Sequence, residues 1–236
     1  MKKKLLNILA CLSIILIGAF ALVGCGDDPA DTNVYVSTEA QLTTAVANAS
    51  NNSKIVLKND IELTNQLTVT KTLTLDLNGK EISNTTDIWN DTDGIDTWSL
   101  ISVQENGNLT ITGNGSLNAK QNDCFAVDVR DNAQVTIKNG TFTGNVSAVY
   151  VIDNGKATIE GGTYDIKQLS EYSDHRYTLN ALDIDNQDAT FVVKGGTFTQ
   201  YDPSHSNSED PEMNFVAEGY EAVEDNGNYV VSKIAD

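Results

Sequence analysis

The chain has only two arginines, Arg130 and Arg176, and two histidines, His175 and His205, so cationic chemistry has few places to reside. Asp128 and Arg130 stand at i and i+2, and Asp183 occupies the equivalent place in a later repeat. Calcium on such carboxylates with Arg130 as base is the best set the chain offers for a polysaccharide lyase. It removes a proton beside a sugar carboxylate and stabilises the enolate-like intermediate. The same two residues on one strand also read as a surface ion pair. Asp91, Asp93 and Asp96 supply closely spaced oxygen ligands for Ca2+, although Leu100 stands where an EF-hand loop needs its bidentate acid. Trp89 and Trp98 flank these acids, while Tyr172, Arg176 and Tyr177 share a second polar stretch. Aromatic rings beside Asp and Arg suit sugars, whose CH faces stack on rings and whose hydroxyls meet polar groups. Neither histidine has a second ligand at metal-binding spacing, and no Gly-x-Ser-x-Gly elbow occurs.

The first residues carry an address. Lys2, Lys3 and Lys4 precede an apolar run from Leu5 to Val23, which ends in Leu22-Val23-Gly24-Cys25. A basic start, an apolar stretch and a small-residue cleavage site define a secretory signal. A plain membrane anchor is the competing reading of the run. The last four residues resemble a bacterial lipobox. That resemblance implies cleavage before Cys25, a lipid on Cys25, and a place on the extracytoplasmic side of a membrane in the bacterial cell envelope. The expected organisation is a signal peptide at 1–24, a lipidated cysteine and polar tether at 25–33, and one domain at 34–236. Removal of three lysines deepens the net charge from −18 to −21. So acidic a chain is no nucleic-acid binder, and the charge also opposes capture of acidic polymers. Cys124 is the one thiol left, which rules out an internal disulfide and suits a small buried apolar residue.

The elements that must hold these residues come from a repeat. The segments VQENGNLTITGNGSLNA, VRDNAQVTIKNGTFTG, IDNGKATIEGGTYD and IDNQDATFVVKGGTFTQ share an Asn turn, an alternating strand, glycine, and then Ser/Thr with a large apolar residue. Gly115, Gly140, Gly162 and Gly196 anchor them, and LTVTKTLTLDLNGKEIS with Gly79 is a degenerate earlier copy. Units of this size cannot bury an apolar face alone, but stacked units can. Three inward files follow: Val103, Val129, Val151 and Ile184; Ile111, Ile137, Ile159 and Val193; and Leu117, Phe142, Tyr164 and Phe198. Asp128, Tyr150 and Asp183 form an outward file. Asn106, Asn132, Asn154 and Asn186 recur at one turn, a file that resembles the asparagine ladder of the pectate-lyase-like superfamily of right-handed parallel β-helix proteins. The expected fold is therefore all-β: a right-handed parallel β-helix of about five coils. Residues 38–49, with Thr38 and Gln41 as a capping box, form an N-terminal capping helix, and Asn226-Gly227 turns a C-terminal β-hairpin cap.

Departures from the repeat point to function. Long insertions at 83–98 and 165–179 leave one corner, with short connections at 118–123 and 143–147 between them, and 199–212 forms a third extended connection. Together they frame a side groove that holds Trp89, Trp98, Tyr172, Tyr177 and Arg176. Thr92-Asp93-Gly94-Ile95-Asp96 resembles a motif of polygalacturonase-type hydrolases. However, the only adjacent Asp pair is Asp27-Asp28 in the tether, and neither Gly-His-Gly nor Arg-x-Lys occurs. Thr68-x-Thr70 and Thr72-x-Thr74 are expected to occupy one coil without forming a file across coils. The first expectation is a non-catalytic surface lipoprotein that binds glycan or a surface protein in the groove. A calcium-dependent lyase and a structural envelope spacer are the alternatives.

Overall fold

Alternation of apolar and polar residues turns most of the chain into short strands, because only period-2 spacing puts every apolar side chain on one sheet face. The computed structural model describes residues 32–88, 99–121, 124–168, 177–182, 189–206 and 213–235. The strands fall into three sheets that the chain visits in rotation. The first contains, in spatial order, β1 (Val34–Val36), β2 (Ser53–Leu57), β5 (Thr72–Asp76), β8 (Asn108–Thr112), β11 (Gln134–Ile137), β14 (Lys156–Ile159) and β17 (Thr190–Val193). The second contains β4 (Leu67–Val69), β7 (Ser99–Val103), β10 (Phe125–Val129), β13 (Val149–Ile152) and β16 (Leu179–Leu182). The third runs through β3 (Ile61–Glu62), β6 (Glu81–Ser83), β9 (Ser116–Asn118), β12 (Thr141–Gly144), β15 (Thr163–Ile166) and β18 (Gly196–Thr199). It ends in β20 (Asn228–Lys233) and β19 (Tyr220–Asp225). Among the strands of the described residues, pairing is parallel except in the final β18–β20–β19 ribbon, and an isolated antiparallel bridge joins Ser206 to Met213. This sheet-rich arrangement, with one short helix among the described residues, is compatible with a parallel β-helix.

Equivalent residues stack in register. Ile55, Leu75, Ile111, Ile137, Ile159 and Val193 form one inward file. Ile82, Leu117, Phe142, Tyr164 and Phe198 form another, and all five are fully buried. Within it Tyr164 lies between Phe142 and Phe198, with ring centroids at 5.3 and 5.0 Å. The anchor glycines explain themselves at Gly162. Its φ is +105°, and a Cβ there would sit 2.9 Å from the carbonyl oxygen of Gly140, the anchor one strand before. Asn106, Asn132 and Asn154 each follow an acid, and both residues of each pair have positive φ, a turn that Asn tolerates well. Backbone amides bridge successive turns there, from Asn106 to Asp131 and from Asn132 to Asp153.

Three expectations need correction. Val151 pairs with Ala181, so Ile184, which lies outside the described residues, is not its register partner. The outward file likewise runs Ser102, Asp128, Tyr150, Asn180, with Asn180 where Asp183 was expected. Thr74, Thr110, Thr136 and Thr158 do stack as a file across four strands. The neighbouring outward file reads Thr72, Asn108, Gln134 and Lys156, so the face is no uniform threonine lattice.

The helix α1 (Glu39–Asn48) begins where Thr38 Oγ1 accepts from the Gln41 amide at 3.3 Å. Gln41 reaches back one residue further than a capping box requires, to the Ser37 amide at 2.8 Å. Leu42 and Val46 bury one face of the helix in the main core. Glu39 takes the Thr64 and Asn65 amides at 2.7 and 3.0 Å, and Lys71 donates to the carbonyls of Ala47 and Ala49 at the other end. Asn226 and Gly227, both at positive φ, turn the β19–β20 hairpin.

Candidate functional site

Five connections carry the chain from the third sheet to the second: 63–66, 84–98, 119–124, 145–148 and 167–178, which follow β3, β6, β9, β12 and β15. Those five strands are consecutive neighbours, so the connections leave one corner in sequence: a short one at 63–66, then a long one, two short ones and a second long one. At strand spacing, the roots of the long ones lie ~14 Å apart. Strands run further than expected at each root: Ser83 completes β6, Asp165 and Ile166 complete β15, and Leu179 opens β16.

Polar side chains stitch this corner from strand to strand. Asn84 Oδ1 accepts from the Lys120 amide at 2.8 Å, and the Lys120 ammonium pairs with Asp87. Asn145 donates to Gln168 Oε1 at 3.0 Å, and the Lys167 ammonium reaches the Ala119 carbonyl. Beneath these contacts Cys124 is fully buried, and burial pushes its thiol up to about 12, so it is no nucleophile at neutral pH.

Beside the corner, the second sheet is buried on its outward as well as its inward side. Asp128 is 1% exposed, so its pair with Arg130 is a buried ion pair and the expected surface location is corrected. Arg130 Nη2 stands 2.8 Å from Asp128 Oδ2, and its Nε donates to both carboxylate oxygens at 3.1 Å. Ser102 donates to Oδ2 at 3.1 Å and in turn accepts from Gln104 at 2.7 Å. Burial outweighs Arg130 and raises the Asp128 carboxyl to about 6. A second apolar cluster, separate from the main core, unites Phe125, Tyr150 and Ile152, with the two rings stacked at 4.7 Å.

The arrangement differs from a lyase centre in one chemical respect. An arginine acting as base must lose its proton, whereas the carboxylate against Arg130 favours the guanidinium. Both Asp128 oxygens are engaged by Arg130, and Oδ2 by Ser102 as well.

Of the other expected site residues, Tyr177 is half-buried next to the second sheet. Cys25, Trp89, Asp91, Asp93, Asp96, Trp98, Tyr172, His175, Arg176 and Asp183 lie outside the described residues. Among the described residues no group of three His, Cys, Asp or Glu side chains is placed to hold a metal ion, and no helix is long and apolar enough to cross a membrane.

One cluster gave no signal in the sequence. Ser204 Oγ and Asp202 Oδ2 lie 2.9 and 3.2 Å from the same His205 nitrogen, Nδ1. A nucleophilic triad uses opposite ring nitrogens. Here the Ser204 amide and hydroxyl both donate to Asp202 Oδ1, so the group closes a turn. Comparison with protein-family models, characterised proteins and solved structures found no match for the chain.

Proposed function

We propose that the chain is a non-catalytic surface lipoprotein of the bacterial envelope, lipidated at Cys25, whose domain is a right-handed parallel β-helix of about five coils. In this reading α1 and the β19–β20 hairpin are end caps, and the architecture resembles the pectate-lyase-like superfamily. The groove at the corner between the third and second sheets receives glycan. Trp89 and Trp98 on one wall, and Tyr172, Arg176 and Tyr177 on the other, are its contacts. One observation carries this reading: at the corner where connections follow neighbouring strands, the two long ones flank two short ones. The closed Asp128–Arg130 pair supports binding over lyase chemistry. Calcium at Asp91, Asp93 and Asp96 would organise the first wall without taking part in a reaction.

A glycan array probed with the mature protein tests the proposal. The expected result is retention of specific glycans, lost or weakened in Trp89→Ala and Trp98→Ala. Array signal no higher than background favours a structural spacer. Unsaturated product from uronic-acid polymers, made with calcium and abolished by Arg130→Ala, would overturn the non-catalytic reading.

A further inference from the structure

The end of the domain nearest the tether differs from the rest in both charge and surface. Residues 32–82 hold four basic and five acidic side chains, a net −1, whereas residues 83–236 hold eight and 25, a net −17. On β1, the edge strand of the first sheet, Val34 and Tyr35 are 41% and 46% exposed. The Lys58 ammonium sits 4.0 Å from the Tyr35 ring centroid. Tyr35 and Lys58 share the outward face, and Val34, on the opposite side of the same edge strand, adds exposed apolar surface; a tyrosine ring beside an ammonium is the chemistry of the bilayer interface. The ring enters the headgroup layer, and the ammonium meets lipid phosphate.

Exposed apolar residues also occur at the opposite end, at Val223, Val230 and Ile234. Two facts separate the ends. Cys25 and Val34 are joined by a tether whose contour is at most ~30 Å, which holds β1 close to any lipid on Cys25. The distal hairpin region carries Glu218, Glu221, Glu224 and Asp225 against Lys233, a set that an anionic leaflet repels.

We propose that the N-terminal end of the domain, through Val34, Tyr35 and Lys58, rests on the headgroups of the membrane that holds the Cys25 lipid, with the acidic body pointing away. This rests on the lipoprotein reading. The orientation sets the stack of strands across the membrane plane, with the first and last strands of the seven-stranded sheet separated by ~29 Å.

The test uses the full chain, processed and lipidated in a bacterial host and reconstituted into phosphatidylethanolamine–phosphatidylglycerol vesicles. Tyr35→Cys carries an environment-sensitive dye, and Asn226→Cys at the hairpin turn carries the same dye as the distal reference. Buried Cys124 is not labelled in the folded protein. Val34→Cys serves as the second proximal site should Tyr35→Cys lose its circular dichroism. We expect blue-shifted emission at 35, quenched by nitroxide-bearing lipid, and water-like, unquenched emission at 226. Lys58→Glu should reduce the quenching. Water-like emission at both proximal sites in protein that floats with the vesicles overturns the docking and leaves the anchor standing. Failure to float overturns both. A blue shift that grows with protein density but is not quenched by the lipid assigns the surface to a second copy and also overturns the proposal.

Discussion

Tyr164→Ala probes the stacked interior directly. Tyr164 is fully buried between Phe142 and Phe198, and its hydroxyl donates to the Gly161 carbonyl at 2.7 Å. Truncation removes a large buried ring and leaves a cavity that neighbouring strands, hydrogen-bonded in fixed register, cannot close. The expected loss is ~3–5 kcal/mol, as for other buried aromatic residues. Tyr164→Phe keeps both ring contacts and deprives only the Gly161 carbonyl, so it should cost ~1 kcal/mol. Thr163→Ala, on the outward side of the same strand, should change stability by less than either. Urea unfolding followed by circular dichroism gives the three values, with an unchanged slope against urea as the check that one transition is being compared. A Tyr164→Ala loss no larger than that of Thr163→Ala would refute the stacked file.

Gly162→Ala should cost ~1–3 kcal/mol through its backbone conformation, plus the clash with the Gly140 oxygen. Gly79→Ala, at φ +71° with nothing within 4 Å of the added Cβ, should cost only the left-handed penalty. Equal losses in urea unfolding would contradict the close stacking of the anchors. Because the Asp128 carboxyl is raised from 3.8 to about 6, the folded state binds a proton more tightly than the unfolded one. Its contribution to stability is therefore full below pH ~4 and falls by ~3 kcal/mol or less as pH rises through ~6. Asp128→Asn should lack that part of the slope between pH 4 and 7, and superimposable pH profiles would count against a raised carboxyl. Cys124 should resist thiol reagents at pH 8 until the protein unfolds. Rapid labelling of native protein would contradict its burial.

The inward files at Ile111 and Leu117 were legible because near-constant spacing from glycine to apolar residue, two after it in the four full copies and three or four before it, is what parallel stacking needs. The helix and hairpin were legible from Thr38 and from Asn226-Gly227, whose local chemistry fixes a turn. The last copy misled. Ile184-Asp185-Asn186 reproduces the string Ile152-Asp153-Asn154, but nine positions separate Ala181 from Thr190 where five separate Val151 from Lys156. The connection between these strands is therefore four residues longer, so string similarity and strand register diverge. Burial of Asp128 was illegible for a different reason. Alternation shows that its side chain leaves the core, but not that the outward face of that sheet is itself covered. The order of long and short connections at the corner was readable from their lengths alone, because each length is a property of the sequence and only its place among the strands required the fold.

The groove itself is tested most directly by shortening the 84–98 connection to the six residues that join β9 to β10, and comparing array binding with that of the parent protein. The shortened protein should keep its cooperative unfolding and lose the glycans the parent retains. Equal retention by the two proteins would contradict a binding site framed by that wall.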